Sequence, residues 1–161
     1  MTPEAYVNFI LNTNADFLGY TSDAEFSRNL PTFAFGLAEE VFEVAVASTD
    51  DSRAKEVGDV VAYFCLLAAA LGYDRERIES HLHSTRRSSN TANVVADYLG
   101  VAKRFFRGDA TASQLLAIAY QLVLFSLSFS GLQLEPVLEL NYKKLTARLS
   151  STGTFHGKGD R

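Results

Sequence analysis

Apolar residues recur along this chain at three- and four-residue spacing, in stretches opened by Ser, Thr, Asn or Asp and often closed by glycine, while alternating strand-like runs are nearly absent. The pattern predicts an all-α protein. Thr2, Pro3 and Glu4 supply a cap, a first-turn proline and an early acid for a helix reaching about Phe17, with Tyr6, Phe9, Ile10 and Phe17 as its apolar stripe. A short helix is expected over Asp23 to Asn29. Pro31 then breaks the chain and Thr32 caps a helix over 33–47. The link 48–52 is composed of Ser, Thr and Asp, so the next helix begins near Arg53 and runs to Leu71, with Gly72 ending it in the left-handed conformation. Asp74 opens a short helix holding Ile78 and Leu82, and 88–91 reads as a loop. Two helices follow over 92–107 and 112–130, closed by Gly108 and Gly131, the second opened by Thr111 and Gln114 in capping-box spacing. A last helix runs from about Glu135, with Pro136 in its first turn, to Leu149. The glycine-rich tail 150–161 is expected to be flexible without a ligand.

A chain of 161 residues suffices for one domain, 1–161, with a real core. Its 47% hydrophobic and 21% charged residues argue against extensive disorder, and a net charge of -4 gives no general attraction to a nucleic acid polymer. The one cysteine, Cys65, sits in an apolar run and has no partner for an intramolecular disulfide or a thiolate metal site. No basic start followed by an apolar stretch marks a signal peptide, so a cytoplasmic location is the default expectation. Leu115 to Leu132 carries no formal charge and is long enough for a marginal span. Its Tyr120, Gln121, Ser126, Ser128 and Ser130, and the lack of flanking anchors, favour a helix buried in a bundle or an oligomer interface over a membrane helix.

Chemistry concentrates in two acidic i,i+3 pairs, Glu40 with Glu43 and Glu56 with Asp59, on the two helices joined by the polar link. Residues three apart share a helix face, so an antiparallel pair of helices can aim all four acids into one gap. Neither pair has a basic residue four positions onward: Val44 and Ala47 follow the first, Val60 and Tyr63 the second. Uncompensated carboxylates beside apolar residues are costly without a cation, and hard oxygen ligands suit Mg²⁺, which often bridges carboxylates and phosphates. On the last helix Asn141, Lys144 and Arg148 form one stripe that can receive phosphate oxygens, although basic residues there also complement the helix dipole. Phe9, Phe33 and Phe35 are candidates for a base pocket. His81 and His83 lack a third zinc ligand and read as surface or interface residues, and Lys103, Arg104 and Arg107 precede Gly108 as a helix end would.

Glu39, Glu40 and Glu43 followed by Glu56 and Asp59 resemble the E-E-x-x-E … E-x-x-D signature of the all-α nucleoside triphosphate pyrophosphohydrolases, the MazG-like superfamily. Gly36, Leu37 and Ala38 before the first motif, and the run 55–63 around the second, follow that family's wording. Asn141 to Leu145 and the ending 153–161 are similar to its final helix and tail. The resemblance covers 33–78 and 135–161, whereas 79–134 departs from the compact pattern and can supply internally the partner helices of the larger dimeric dUTPase-type members. Laid so that Gly72 falls on Gly131, the pair 33–71 matches 92–130, which reads either as a duplication whose second copy has lost its acids or as the likeness any two helical pairs share.

The resemblance implies a MazG-like helical bundle that hydrolyses a nucleoside triphosphate to a monophosphate and pyrophosphate, as in nucleotide-pool housecleaning. Its metal ligands would be Glu40, Glu43, Glu56 and Asp59, holding Mg²⁺ or alternatively Mn²⁺. Glu39, Glu40 or Glu43 would orient the attacking water. Lys55, Tyr63, Asn141, Lys144 and Arg148 would bind substrate, and Lys158 and Arg161 would close over it. A homodimer or homotetramer is expected. The alternatives are another substrate, such as a phosphoribosyl nucleotide or dUTP, and a non-catalytic helical interaction module.

Overall fold

A computed structural model describes residues 1–17, 26, 28–83 and 93–152, and all regular structure among them is helical. Among the described residues there are seven helices: α1 Pro3–Phe17, α2 Leu30–Val46, α3 Asp50–Ala70, α4 Arg75–Leu82, α5 Val94–Phe106, α6 Ala112–Ser130 and α7 Leu134–Thr152. The helix expected over Asp23 to Asn29 falls mostly outside the described residues, as do the loop 88–91 and the tail from 153 onward, with Lys158 and Arg161.

Three boundaries differ from the sequence expectation, each for a capping reason. α2 starts at Leu30 with Pro31 in its first turn, where a missing N–H costs nothing, so the proline opens the helix instead of breaking the chain. α3 starts at Asp50, not near Arg53, because Thr49 and Ser52 cap each other reciprocally and Asp50 and Asp51 suit the positive end of the helix dipole. α7 continues to Thr152, past the expected end at Leu149, so the first residues assigned to the tail are helical. Elsewhere the punctuation holds. Thr111 and Gln114 form their capping box, Asp74 caps α4, and Gly72, Gly108 and Gly131 all have positive φ. The residue after each of these glycines bonds back across the helix end, Tyr73 to Ala68, Asp109 to Arg104 and Leu132 to Leu127.

α3 is the axis of the bundle. From Val57 to Ala68 it is buried on nearly every side, through Val57, Val60, Val61, Phe64, Cys65 and Leu67, as expected of a helix apolar all round. α2 packs along it most extensively, α6 and α7 take two further sides, and α1 and α4 close the remainder. α5 and α6 form a second hairpin laid against the first. α6 is long and apolar enough by composition to cross a membrane, yet its Leu115, Leu116, Ala119, Tyr120, Leu122 and Val123 belong to the core shared with α3.

Two glycines inside helices set how closely these rods approach. A Cβ on Gly36 of α2 would collide with the Tyr63 ring on α3, and one on Gly58 of α3 would collide with Cβ of Asn141 on α7. The ring can swing aside; the Asn141 Cβ is fixed to its backbone. Gly58→Ala is therefore expected to destabilise the protein by about 1–3 kcal/mol. Gly100→Ala, in α5 with nothing within 4 Å of the added methyl, should gain up to about 1 kcal/mol of helix propensity. Urea unfolding of both variants measures the contrast.

Candidate metal centre

The turn between α2 and α3 fixes the register of the acids. Arg53 donates from Nη2 to the carbonyl of Ala47 at 2.9 Å and from Nη1 to Asp50 Oδ1 at 2.9 Å, tying the last turn of α2 to the first of α3. Antiparallel from that latch, Glu43 and then Glu40 on α2 face Glu56 on α3. One carboxylate oxygen from each of Glu40, Glu43 and Glu56 lies within 4.8 Å of the other two. Oε2 of Glu40 is buried and has no hydrogen-bond partner.

Electrostatics record the crowding. The Glu40 carboxyl is pushed up from 4.5 to about 9, first by burial and then by Asp59, Glu43 and Glu56, with Lys144 opposing. Glu56 is also raised, by burial first and then by Asp59 and Glu43 against the pull of Lys144. Burial followed by the charges of Glu40, Asp59, Glu39 and Glu43 raises the Tyr63 hydroxyl, so it stays protonated.

Asp59 flanks the three-oxygen cluster and is engaged from α7. Its Oδ1 accepts a hydrogen bond of 2.6 Å from Asn141 Nδ2, and its Oδ2 pairs with the Lys144 ammonium, which also lies 3.9 Å from Glu56 Oε2. Asn141 is fully buried, and its Oδ1 accepts from the Tyr6 hydroxyl of α1 at 2.6 Å; the same hydroxyl lies 3.3 Å from the Gly58 carbonyl. Burial, then Cys65 and Asp59, raise the Tyr6 pKa, so Tyr6 remains a donor. A line of polar contacts thus crosses the core from α1 through α7 to the acids of α3.

The donor set fits a small divalent cation. It offers carboxylate oxygens alone, within 4.8 Å of one another and one of them buried without a hydrogen-bond partner, the hard donors that small divalent cations take. Among the described residues Lys144 is the one ammonium in contact with these acids, too little charge for four carboxylates.

The other candidate residues distribute as follows. Glu39 is exposed on α2, outside the three-oxygen cluster but close enough for its charge to act on Tyr63. Lys55 pairs with Asp51 at 2.5 Å. Tyr63 is half-buried over Gly36, and Arg148 is half-buried on α7, one turn beyond Lys144. Asn141, expected at a phosphate, spends its amide on Asp59 and Tyr6 instead. Phe33, Phe35 and Phe9 do not converge on a base pocket: Phe33 packs on Phe26 in the core, Phe35 stacks on Phe106 at the surface, and Phe9 meets Tyr142. His81 packs between Phe64 and Tyr120, and His83 pairs with Glu79.

Sequence reasoning missed Tyr6, Arg53 and Gly58 as parts of the site. Tyr6 reads as one more apolar position on α1. Gly58 did carry a signal, because a glycine inside a helix costs about 1 kcal/mol against alanine and implies a close approach.

Two outcomes follow for the protein without metal. A carboxyl whose folded pKa is raised loses stability as pH climbs from its unfolded to its folded value. Glu40→Gln should therefore match the wild type near pH 4.5 and become progressively the more stable protein toward pH 9, as read by Tm across that range. Tyr6→Phe strips the buried Asn141 oxygen of its donor and should cost about 1–3 kcal/mol in urea unfolding.

No protein-family model, curated protein or solved structure matches this chain, so its chemistry is read from the geometry of α2, α3 and α7.

Proposed function

We propose that the chain is a Mg²⁺-dependent nucleoside triphosphate pyrophosphohydrolase of the MazG-like type, releasing a nucleoside monophosphate and pyrophosphate. The observation that carries the reading is the approach of the Glu40, Glu43 and Glu56 oxygens to within 4.8 Å, with Glu40 Oε2 buried and unpartnered. A bound Mg²⁺ or Mn²⁺ supplies charge neutralisation on the phosphates and acidification of a water.

The protein's own residues do the rest. Glu40, Glu43 and Glu56 hold the cation, and Asp59, kept in place by Asn141, completes the acidic wall. Glu39, exposed beside the cluster, is left to orient a water for in-line attack on phosphorus and to take its proton. Lys144 and Arg148, one turn apart on α7, receive phosphate oxygens. Tyr63 lines the same face of α3 one turn after Asp59. The assembly is a homodimer or homotetramer: Phe35, Phe42 and Val46 are 54%, 66% and 61% exposed along one face of α2, an apolar stripe beside the acids that suits contact with another subunit.

A panel of ribo- and deoxynucleoside triphosphates in Mg²⁺, with detection of pyrophosphate, tests the proposal. Glu40→Gln and Glu56→Gln should each lower turnover at least about 100-fold while the far-UV circular dichroism stays helical. Release of pyrophosphate from none of the panel would leave a helical interaction module as the better reading. Wild-type rates in both variants would remove the metal site.

A further inference from the structure

The cation that the acid site already contains belongs to the protein. Lys144 reaches from α7 so that its ammonium meets Asp59 Oδ2 and lies 3.9 Å from Glu56 Oε2, with its side chain only 16% exposed. This is not the posture of a solvated surface lysine. Of the two carboxylates it touches, Asp59 is 14% and Glu56 22% exposed, so the contact is shielded from bulk water. The ammonium lies beyond ion-pair distance of Glu40 and Glu43, and Glu40 Oε2 has no hydrogen-bond partner.

We propose that Lys144 is the resident counter-ion of the acid site, which a divalent cation displaces on binding, so that the ammonium becomes available to an anionic ligand only after the metal has entered. The inference rests on the reading that Glu40, Glu43 and Glu56 bind a divalent cation. A cation among those oxygens and an ammonium on Asp59 and Glu56 repel each other and compete for the same carboxylates.

Displacement needs only the lysine side chain to move. Asn141, fully buried and bonded to both Tyr6 and Asp59, anchors α7 three residues before Lys144, so the helix stays in place while the flexible four-carbon lysine stem swings. On leaving Asp59 the ammonium remains on the stripe of α7 that carries Arg148, one turn on. Polyphosphate is the ligand class matched by two neighbouring cations beside a divalent metal. Metal entry and polyphosphate binding are thereby coupled in a fixed order.

Titration of Mn²⁺ into the nucleotide-free protein tests the displacement directly. Lys144→Met, which keeps the bulk and removes the charge, should bind Mn²⁺ about tenfold more tightly than the wild type, a usual size for coupling between two ligands. In saturating Mn²⁺ the same variant should bind a non-hydrolysable triphosphate analogue about tenfold more weakly. Lys144→Arg keeps the charge and should bind Mn²⁺ no more tightly than the wild type, separating the charge from the packing. Should Lys144→Met fail to fold, Lys144→Gln carries the same expectation. Wild-type or weaker Mn²⁺ affinity in a folded, uncharged variant overturns the proposal while leaving the metal site standing. Absence of Mn²⁺ binding by the wild type overturns both.

Discussion

Mutual repulsion among carboxylates pressed together at the α2–α3 hairpin is the constraint around which the remaining structure is arranged. Apolar packing of Val41, Val44, Val57, Val60 and Val61 brings the two helices close whether or not the acids agree, because the burial of those side chains outweighs the electrostatic cost. The acids sit at the margin of that seam. Protonation of Glu40, the Lys144 ammonium, and the amide of Asn141 are three separate responses to the same excess of negative charge. The ammonium and the amide both act on Asp59, the ammonium on Glu56 as well, and none gives Glu40 Oε2 a hydrogen-bond partner.

Support for the site comes from elements far apart in sequence. α3 carries two of the acids and is also the most buried helix, so the acids inherit the rigidity of the core. Gly58 lets α7 come near enough for Asn141 to reach Asp59, and Tyr6 on α1 holds Asn141 from behind. α5 and α6 contribute no acid to the cluster, but α5 packs on α2 and α6 packs on both α2 and α3. A polar site of this kind is precise because its second row of contacts is buried and nearly fully paired.

The sequence carried the helices because their signals are local. Caps such as Thr111 with Gln114, and closing glycines such as Gly131, act within four or five residues and need no knowledge of the fold. The errors at Leu30 and Asp50 have the same origin: Pro31 and the Ser-Thr-Asp link each serve a helix start as well as a break, and neighbouring packing decides between them. The grouping of Glu40, Glu43 and Glu56 was legible from spacing on two joined helices. Occupation of Asp59 by Lys144 and the turning inward of Asn141 were not, because they depend on the rotation of α7 about its axis, which tertiary contacts such as those with α1 and α3 fix. Aromatic residues were least legible; Phe33, Phe35 and Phe9 look alike in sequence and end in three different environments.

The contact from Tyr6 to Asn141 spans 135 positions, while the acidic hairpin closes across a link of a few residues. Loop closure favours the short-range event, so a chain emerging from the ribosome can gather Glu40, Glu43 and Glu56 well before α7 has been synthesised. During that interval the hairpin carries its full negative charge with neither the ammonium nor the amide that later temper it.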